Sequence, residues 1–185
     1  MPALQVGPGR QPIVPLPQGR PALPADAPRL ARLGASMFAA THRPAFKAAD
    51  LATYVGETLS TQRIAAELVD PANTFLLAEI DGALGGFVKL SASPAPAYVQ
   101  TPSPIELSRL YLNPRLIGRG VGSRLMTNAL TQAVYKGYTT CWLYVWEGNV
   151  RAIKFYLNWS FRPVGRESFQ VGLSFPVALV MSRTV

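Results

Sequence analysis

The segment Leu110-Tyr111-Leu112-Asn113-Pro114-Arg115-Leu116-Ile117-Gly118-Arg119-Gly120-Val121-Gly122 constrains this chain more than any other. A β-rich apolar run stops at a proline, glycines recur at every second position, and an apolar helical stripe begins. Glycine lets the backbone turn sharply and approach a ligand without a Cβ in the way. The first amides of a helix have no internal acceptor, and the aligned peptide dipoles add roughly half a positive charge there. Arg115, Arg119 and Arg124 add full charges. The segment therefore reads as a strand, an anion cradle and a helix, suited to a phosphate or pyrophosphate. No Gly-Lys-Ser/Thr follows it, and the two-residue spacing of Gly118, Gly120 and Gly122 is not G-x-G-x-x-G, so nucleotide-triphosphatase and dinucleotide readings lose their support.

The rest of the chain arranges itself around that segment. A stripe of Leu30, Leu33, Met37 and Phe38 predicts a helix after Pro28, with Asp26 as its N-cap. A second helix is expected from about Lys47 to Thr58, with Leu51, Tyr54 and Val55 inward, and a third is capped by Ser60. Thr74 to Ile80 and Gly85 to Ser91 read as strands joined by an Asp81-Gly82 turn. Residues 92–104 hold four prolines and read as a loop. Glu106 to Leu112 is a strand, and Gly120 to Tyr135 a helix with Val121, Leu125, Met126, Leu130 and Val134 on one side. Thr139 to Trp146 is a strand, Asn149 to Asn158 a helix, and Phe161 to Val164 and Phe175 to Arg183 are strands. Alternating strands and helices in the second half predict a mixed sheet with crossover helices.

Composition narrows the classes. With 185 residues, 49% hydrophobic and 15% charged, the chain holds one domain with a sizeable core plus at most a tail. Eight of its 17 prolines lie within residues 1–28. Residues 1–11 are expected to be a disordered tail, residues 12–185 the domain, and Ile13 to Ala22 the source of a short edge strand. A single cysteine, Cys141, leaves no disulfide framework, and a single histidine, His42, leaves no zinc cluster, so no metal is expected. No apolar run approaches the roughly 20 residues of a membrane span, and no signal segment is evident, so a cytoplasmic location is expected. The net charge of +8 suits an anionic partner without choosing one.

With these residues in view, the chain resembles the GCN5-related N-acetyltransferases (GNAT). Residues 117–122 are similar to the family's acetyl-CoA loop, Arg/Gln-x-x-Gly-x-Gly/Ala, except that Ile117 replaces Arg/Gln. Asn149-Val150-Arg151-Ala152-Ile153-Lys154-Phe155-Tyr156 is similar to its N-x-x-A-x-x-F-Y helix. Phe161-Arg162-Pro163-Val164-Gly165 is similar to the strand that follows, with Ser160 where glycine is usual. Within the family the likeness is to PaiA-like polyamine and general amine acetyltransferases, carried by Glu106 to Leu112, by Trp142 to Asn149 and by Ser168 to Gly172. Such chains usually continue with acidic residues; here Leu173-Ser174-Phe175-Pro176 follows and no Asp or Glu occurs after Glu167, which argues against a polyamine acceptor.

The resemblance implies a mixed, mostly antiparallel twisted sheet with helices on both faces, and acetyl-CoA as cosubstrate. It implies cofactor contacts from Leu110, Tyr111, Leu112, Arg115, Gly118, Arg119, Gly120, Val121, Gly122, Ser123, Asn149 and Ala152. It gives Tyr156 the role of acid toward the departing thiolate; a plain core tyrosine is the alternative. Glu106 is the candidate general base, because a carboxylate beside an apolar strand is raised toward working pH; an edge carboxylate or a partner for Arg109 is the alternative. Asn149 caps its helix whether or not it also meets the ligand. Arg151 and Lys154 read as phosphate contacts or as solvated helix charges. Trp142, Tyr144 and Trp146 share a strand face, where core packing is favoured over an acceptor wall. Cys141 is expected to be a buried small hydrophobe, His42 a loop or surface residue, and Phe38 and Tyr54 to line the acceptor side.

The leading expectation is acetyl transfer from acetyl-CoA to a primary amine, on a small molecule or a peptide, by direct attack in a ternary complex. A non-catalytic CoA-binding sensor is the alternative. A nucleic-acid-binding role finds no recognition motif. Homodimerisation through an exposed edge strand is left open.

Overall fold

The computed structural model describes residues 19–171 and 174–185; the expected tail at 1–11, and residues 13–18 of the expected edge strand, lie outside them. Gly19–Pro21 (β1) supplies the described part of that strand. Three helices follow, Ala27–His42 (α1), Ala48–Thr58 (α2) and Thr61–Val69 (α3). Next come the strands Asn73–Ile80 (β2), Ala83–Ser91 (β3) and Pro104–Leu112 (β4). The chain ends with helix Val121–Tyr135 (α4), strand Thr140–Trp146 (β5), helix Val150–Asn158 (α5), and strands Arg162–Ser168 (β6) and Val177–Thr184 (β7).

The strands form one seven-stranded sheet in the order β1-β2-β3-β4-β5-β7-β6. Every pairing is antiparallel except β4 with β5, which the α4 crossover makes parallel. The expected hairpin turn is present: Asp81 and Gly82 both have positive φ, 50° and 74°, as a type I′ turn requires. Helices cover both faces. On one, α4 and α5 bury Leu125, Met126, Ala129 and Tyr156 against Val88, Leu107, Cys141 and Leu143. On the other, α1, α2 and α3 bury Leu30, Phe38, Leu51 and Ile64 against Phe75, Leu77 and Phe87. Burial of this kind, at about 25 cal/mol per Å² of apolar surface, drives the assembly.

Local expectations hold with four corrections. Ser60 caps α3, its Oγ accepting from the Arg63 amide at 3.2 Å. Asp26 precedes α1 but makes no cap bond to it. Its carboxylate instead accepts the Leu23 amide at 2.7 Å and pairs with Arg20 and Arg29, which also hold Glu79. Charged partners outcompete the helix amides, and the cluster ties the segment before α1 to β2. Val134 is 56% exposed rather than inward; Ala133, three residues after Leu130, takes the buried position in the last turn of α4. β6 runs to Ser168, past the expected Val164. His42 is no loop residue: it ends α1 within an aromatic cluster.

Ser160, where glycine is usual, adopts a left-handed φ of 64° in the turn between α5 and β6. A side chain there costs about 1 kcal/mol that glycine avoids. Ser160→Gly is therefore expected to raise the unfolding free energy by about 1 kcal/mol in urea titration; a lower stability would show that the serine side chain holds the turn.

Candidate active site

The site begins with a defect in the sheet. β4 and β5 pair only at Pro104–Thr140, Ile105–Cys141 and Glu106–Trp142. Beyond Glu106 the two strands part, while β3 stays paired with β4 to Leu112 and β7 with β5 to Trp146. The central strand of a covered sheet should be buried throughout. Here Ser108 to Leu112 are only half-buried, because one edge of β4 faces a cleft. The Asn113 amide donates to Gly85 O on β3 at 2.8 Å, so the alternation of a strand turns the Leu112 amide toward the cleft.

At the far end of β4 lies the glycine loop. Asn113 starts a short 3₁₀ turn, its side chain accepting from the Arg115 amide at 3.1 Å. Gly118 and Gly120 then take φ of 80° and 79°, conformations that turn the chain into α4 and that a side chain resists. Among the described residues, the amides of Gly118, Gly120, Val121, Gly122 and Ser123 donate to no backbone or side-chain acceptor. Val121 and Gly122 are buried at the base of the loop, and Arg115, Gly118, Arg119, Gly120, Ser123 and Arg124 are exposed around it. The three arginines make no ion pair with any described carboxylate. Ile117 points no polar group into this rim and is 38% exposed. Helix α5 closes the other side: the Phe155 ring approaches Gly122, where a Cβ would lie 3.7 Å from it. Asn149 caps α5 by accepting the Ala152 amide at 3.2 Å, and Ala152 is half-buried.

Glu106 marks the apex of the fork. Burial pushes its carboxyl up from the ordinary range, while a hydrogen bond from Ser93 Oγ and the charges of Lys89 and Arg109 pull the other way without cancelling it. Arg109 is not its ion-pair partner. That guanidinium binds Glu67 of α3 and the Thr58 carbonyl at 3.1 Å. Glu67 also holds Lys89 at 3.2 Å and Arg63 at 3.2 Å, so it joins α3 to β3 and β4. Burial raises the Glu67 carboxyl, and Arg109 and Lys89 more than offset this, for a net downward shift. Sequence reasoning missed this network; its members are far apart in the chain, and only the Arg109–Lys89 register brings them together.

Tyr156 lies on the opposite face of the sheet from Glu106. It is 8% exposed, with its ring edge-on to Phe155 and Phe161, and burial pushes its hydroxyl well up, so it stays protonated at neutral pH. Cys141 is buried, its thiol pushed up to about 12 by burial, which leaves it inert. The β5 aromatics divide: Trp142 is core, Trp146 half-buried, and Tyr144 exposed with its hydroxyl donating to Glu167 at 2.7 Å. Arg151 and Lys154 are exposed and unpaired among the described residues, as solvated helix charges are. His42, Phe38, Phe46, Tyr54 and Trp146 form a contiguous aromatic cluster on the Glu106 face. Leu110 and Leu112 pack against the α4–α5 core and Tyr111 against Phe87 on the other side.

A forked sheet ending in a loop of free amides fits a long ligand with an anionic head. Residues 38–161 match the sequence model of the acetyltransferase (GNAT) family. This chain is a GNAT acetyltransferase. It is 33% identical to an uncharacterized N-acetyltransferase of Mycobacterium tuberculosis over 158 residues, 85% of this chain and 97% of that one. It is 27% identical to an uncharacterized N-acetyltransferase of Lactobacillus delbrueckii subsp. lactis, covering 72% and 77%. In fold it is similar to the PaiA N-acetyltransferase of Thermoplasma acidophilum in complex with coenzyme A, with a TM-score of 0.73, 23% identity, and coverage of 91% and 98%. An acetyltransferase of Thermus thermophilus gives a TM-score of 0.63 at 18% identity, covering 93% and 99%. The cosubstrate of GNAT enzymes is acetyl-CoA, and the free-amide loop, the arginine rim and the half-open β4 edge suit its pyrophosphate and its extended arm. No helix among the described residues is long and apolar enough to cross a membrane, and no group of acidic, His or Cys side chains among them is arranged to hold a metal.

Proposed function

We propose that this GNAT chain transfers acetyl from acetyl-CoA to a primary amine by direct attack in a ternary complex. The observation that carries this reading is the β4–β5 fork, with Glu106 at its apex and the free-amide loop at its far end. Glu106 and Leu112, the end of β4 from which the loop leads off, are six residues apart, roughly 20 Å at strand spacing, a span for an extended pantetheine arm. Bound acetyl-CoA supplies the activated acyl group as a thioester. Gly118, Gly120, Val121, Gly122 and Ser123 offer their amides to its pyrophosphate, and Arg115 and Arg119 supply the charge that Ile117 lacks. Leu110 and Leu112 offer the strand edge to the arm, with Asn149 and Ala152 on the facing helix, while Tyr111 between them turns its backbone groups to β3. The Leu112 amide, turned into the cleft, stabilises negative charge developing on the carbonyl oxygen.

Glu106 takes a proton from the incoming ammonium, since only the free lone pair attacks. Its desolvated carboxyl is more basic than an exposed one, which improves the match to the amine. The free amine nitrogen bonds to the acetyl carbon as the carbon–sulfur bond breaks; Tyr156, protonated and buried, donates toward the departing sulfur, and the second nitrogen proton restores its hydroxyl. A thiol ionises near pH 8.5, so the thiolate leaves tolerably unaided and the acid contributes modestly. Tyr156→Phe is expected to lower kcat about tenfold, leaving the KM for acetyl-CoA within about twofold. An unchanged kcat would leave Tyr156 as a core residue only.

A further inference from the structure

An aromatic cluster joins α1, α2 and β5 on the Glu106 face of the sheet. Phe38 stacks on His42 at 4.1 Å and on Tyr54 at 4.5 Å between ring centres. His42 reaches Phe46 at 5.6 Å and Trp146 at 5.4 Å, so α1, α2 and the segment between them meet β5 beyond the fork. Gly148 permits this, because a Cβ there would come within 2.3 Å of the Trp146 indole. The His42 Nδ1–H donates to Phe38 O at 2.9 Å, and burial lowers the imidazole from its ordinary value, so this wall is uncharged at neutral pH. His42, Tyr54 and Trp146 are each only half-buried. Tyr54 is also close enough to Glu106 and Arg109 for their charges to act on its hydroxyl.

Charge decides what such a wall accepts. The carboxylates on this side are mostly engaged: Glu67 by Lys89, Arg109 and Arg63, Glu147 by Arg166, and Glu167 by the Tyr144 hydroxyl. Asp50 stands in the first turn of α2, where the helix dipole favours a carboxylate; one of its oxygens is buried with no partner. Arg43 and Lys47 flank Phe46, exposed and with no carboxylate within ion-pair distance among the described residues. A polycation therefore meets the Arg43 and Lys47 rim, and on α2 only Asp50 and the exposed Glu57 lack an ion-pair partner among the described residues. An amine with one charge meets Glu106, and its remaining body meets rings.

We propose that His42, Tyr54 and Trp146, backed by the buried Phe38 ring, form the acceptor subsite and select a primary amine carrying a single positive charge on a flat, apolar body. This rests on the acetyltransferase reading above. Burying a phenyl ring against such a wall should favour an arylalkylamine over a short alkylamine by about tenfold or more in kcat/KM. The test uses the full chain with acetyl-CoA and 2-phenylethylamine, n-butylamine or spermidine as acceptor. Calorimetric titration of the same amines into the CoA-saturated chain accompanies it. Expected are a kcat/KM for 2-phenylethylamine at least about tenfold above the other two, and measurable binding of it alone. Trp146→Leu and His42→Leu, each checked for an unchanged thermal midpoint, should bring the phenylethylamine-to-butylamine ratio toward one. A preference for spermidine or butylamine overturns the subsite and leaves acetyl transfer standing. Binding of 2-phenylethylamine without turnover of any amine upholds the subsite and overturns acetyl transfer. Neither binding nor turnover of it overturns the subsite.

Discussion

Glu106→Gln is expected to lower kcat/KM for the amine by about 10²–10⁴, with little change in acetyl-CoA binding. Glutamine keeps the shape, and its amide still meets Ser93, but it cannot accept a proton. The pH dependence makes the expectation specific. Glu106 works when ionised, and burial raises its carboxyl above the ordinary value. In the unaltered enzyme, activity therefore falls on acidification through a value above the usual glutamate range near 4.3. The variant loses that limb and retains only the slope set by ionisation of the amine itself. Profiles of kcat/KM from about pH 5 to 9 for both proteins decide the matter. Superimposable profiles would remove Glu106 from proton transfer.

The second large effect concerns stability. Glu67→Ala is expected to cost about 3–5 kcal/mol, a large share of the roughly 5–15 kcal/mol typical of a domain. The Glu67, Lys89 and Arg109 side chains are only 8%, 9% and 13% exposed. Removing the carboxylate leaves two cations desolvated side by side. It also releases Arg109 beside Glu106, so loss of activity should accompany loss of stability. Urea unfolding with the Arg63→Ala variant as a control checks this; the Arg63 pair is 61% exposed on the arginine side and should matter by less than about 1 kcal/mol. The pH dependence has a definite sign. Glu67, Asp26 and Glu79 all have folded values below their ordinary ones. Their stabilisation is complete above the unfolded carboxylate range near pH 4 and is lost as pH falls through the folded values. Glu67→Ala should therefore lose less stability on acidification than the unaltered chain does.

Most of the architecture was legible in the sequence because it depends on local chemistry. The Asp81-Gly82 turn, the Ser60 and Asn149 caps and the alternating glycines before α4 each act within a few residues, and each lies where the sequence pattern puts it. The cleft itself was not legible. It arises because β4 and β5 stop pairing after Glu106 and Trp142, and no residue type signals the end of a parallel ladder. The Glu67 network was hidden for a related reason: its strand members meet through cross-strand register, and its helix member arrives from α3. His42 was misread because a lone histidine carries no periodicity; only the α1 packing shows its ring between Phe38 and Trp146. Asp26 was misread because a cap propensity ignores stronger charged partners, here Arg20 and Arg29.

In the mechanism proposed above, the β4–β5 fork holds acetyl-CoA for attack by an amine. The most direct measurement is release of the CoA thiol from acetyl-CoA, with and without a panel of primary amines, alongside direct titration of acetyl-CoA binding. Thiol release that depends on the amine and falls at least about 100-fold in Glu106→Gln is the predicted result. Tight acetyl-CoA binding with no amine-dependent release would contradict it and favour a sensor that holds the cosubstrate without turning it over.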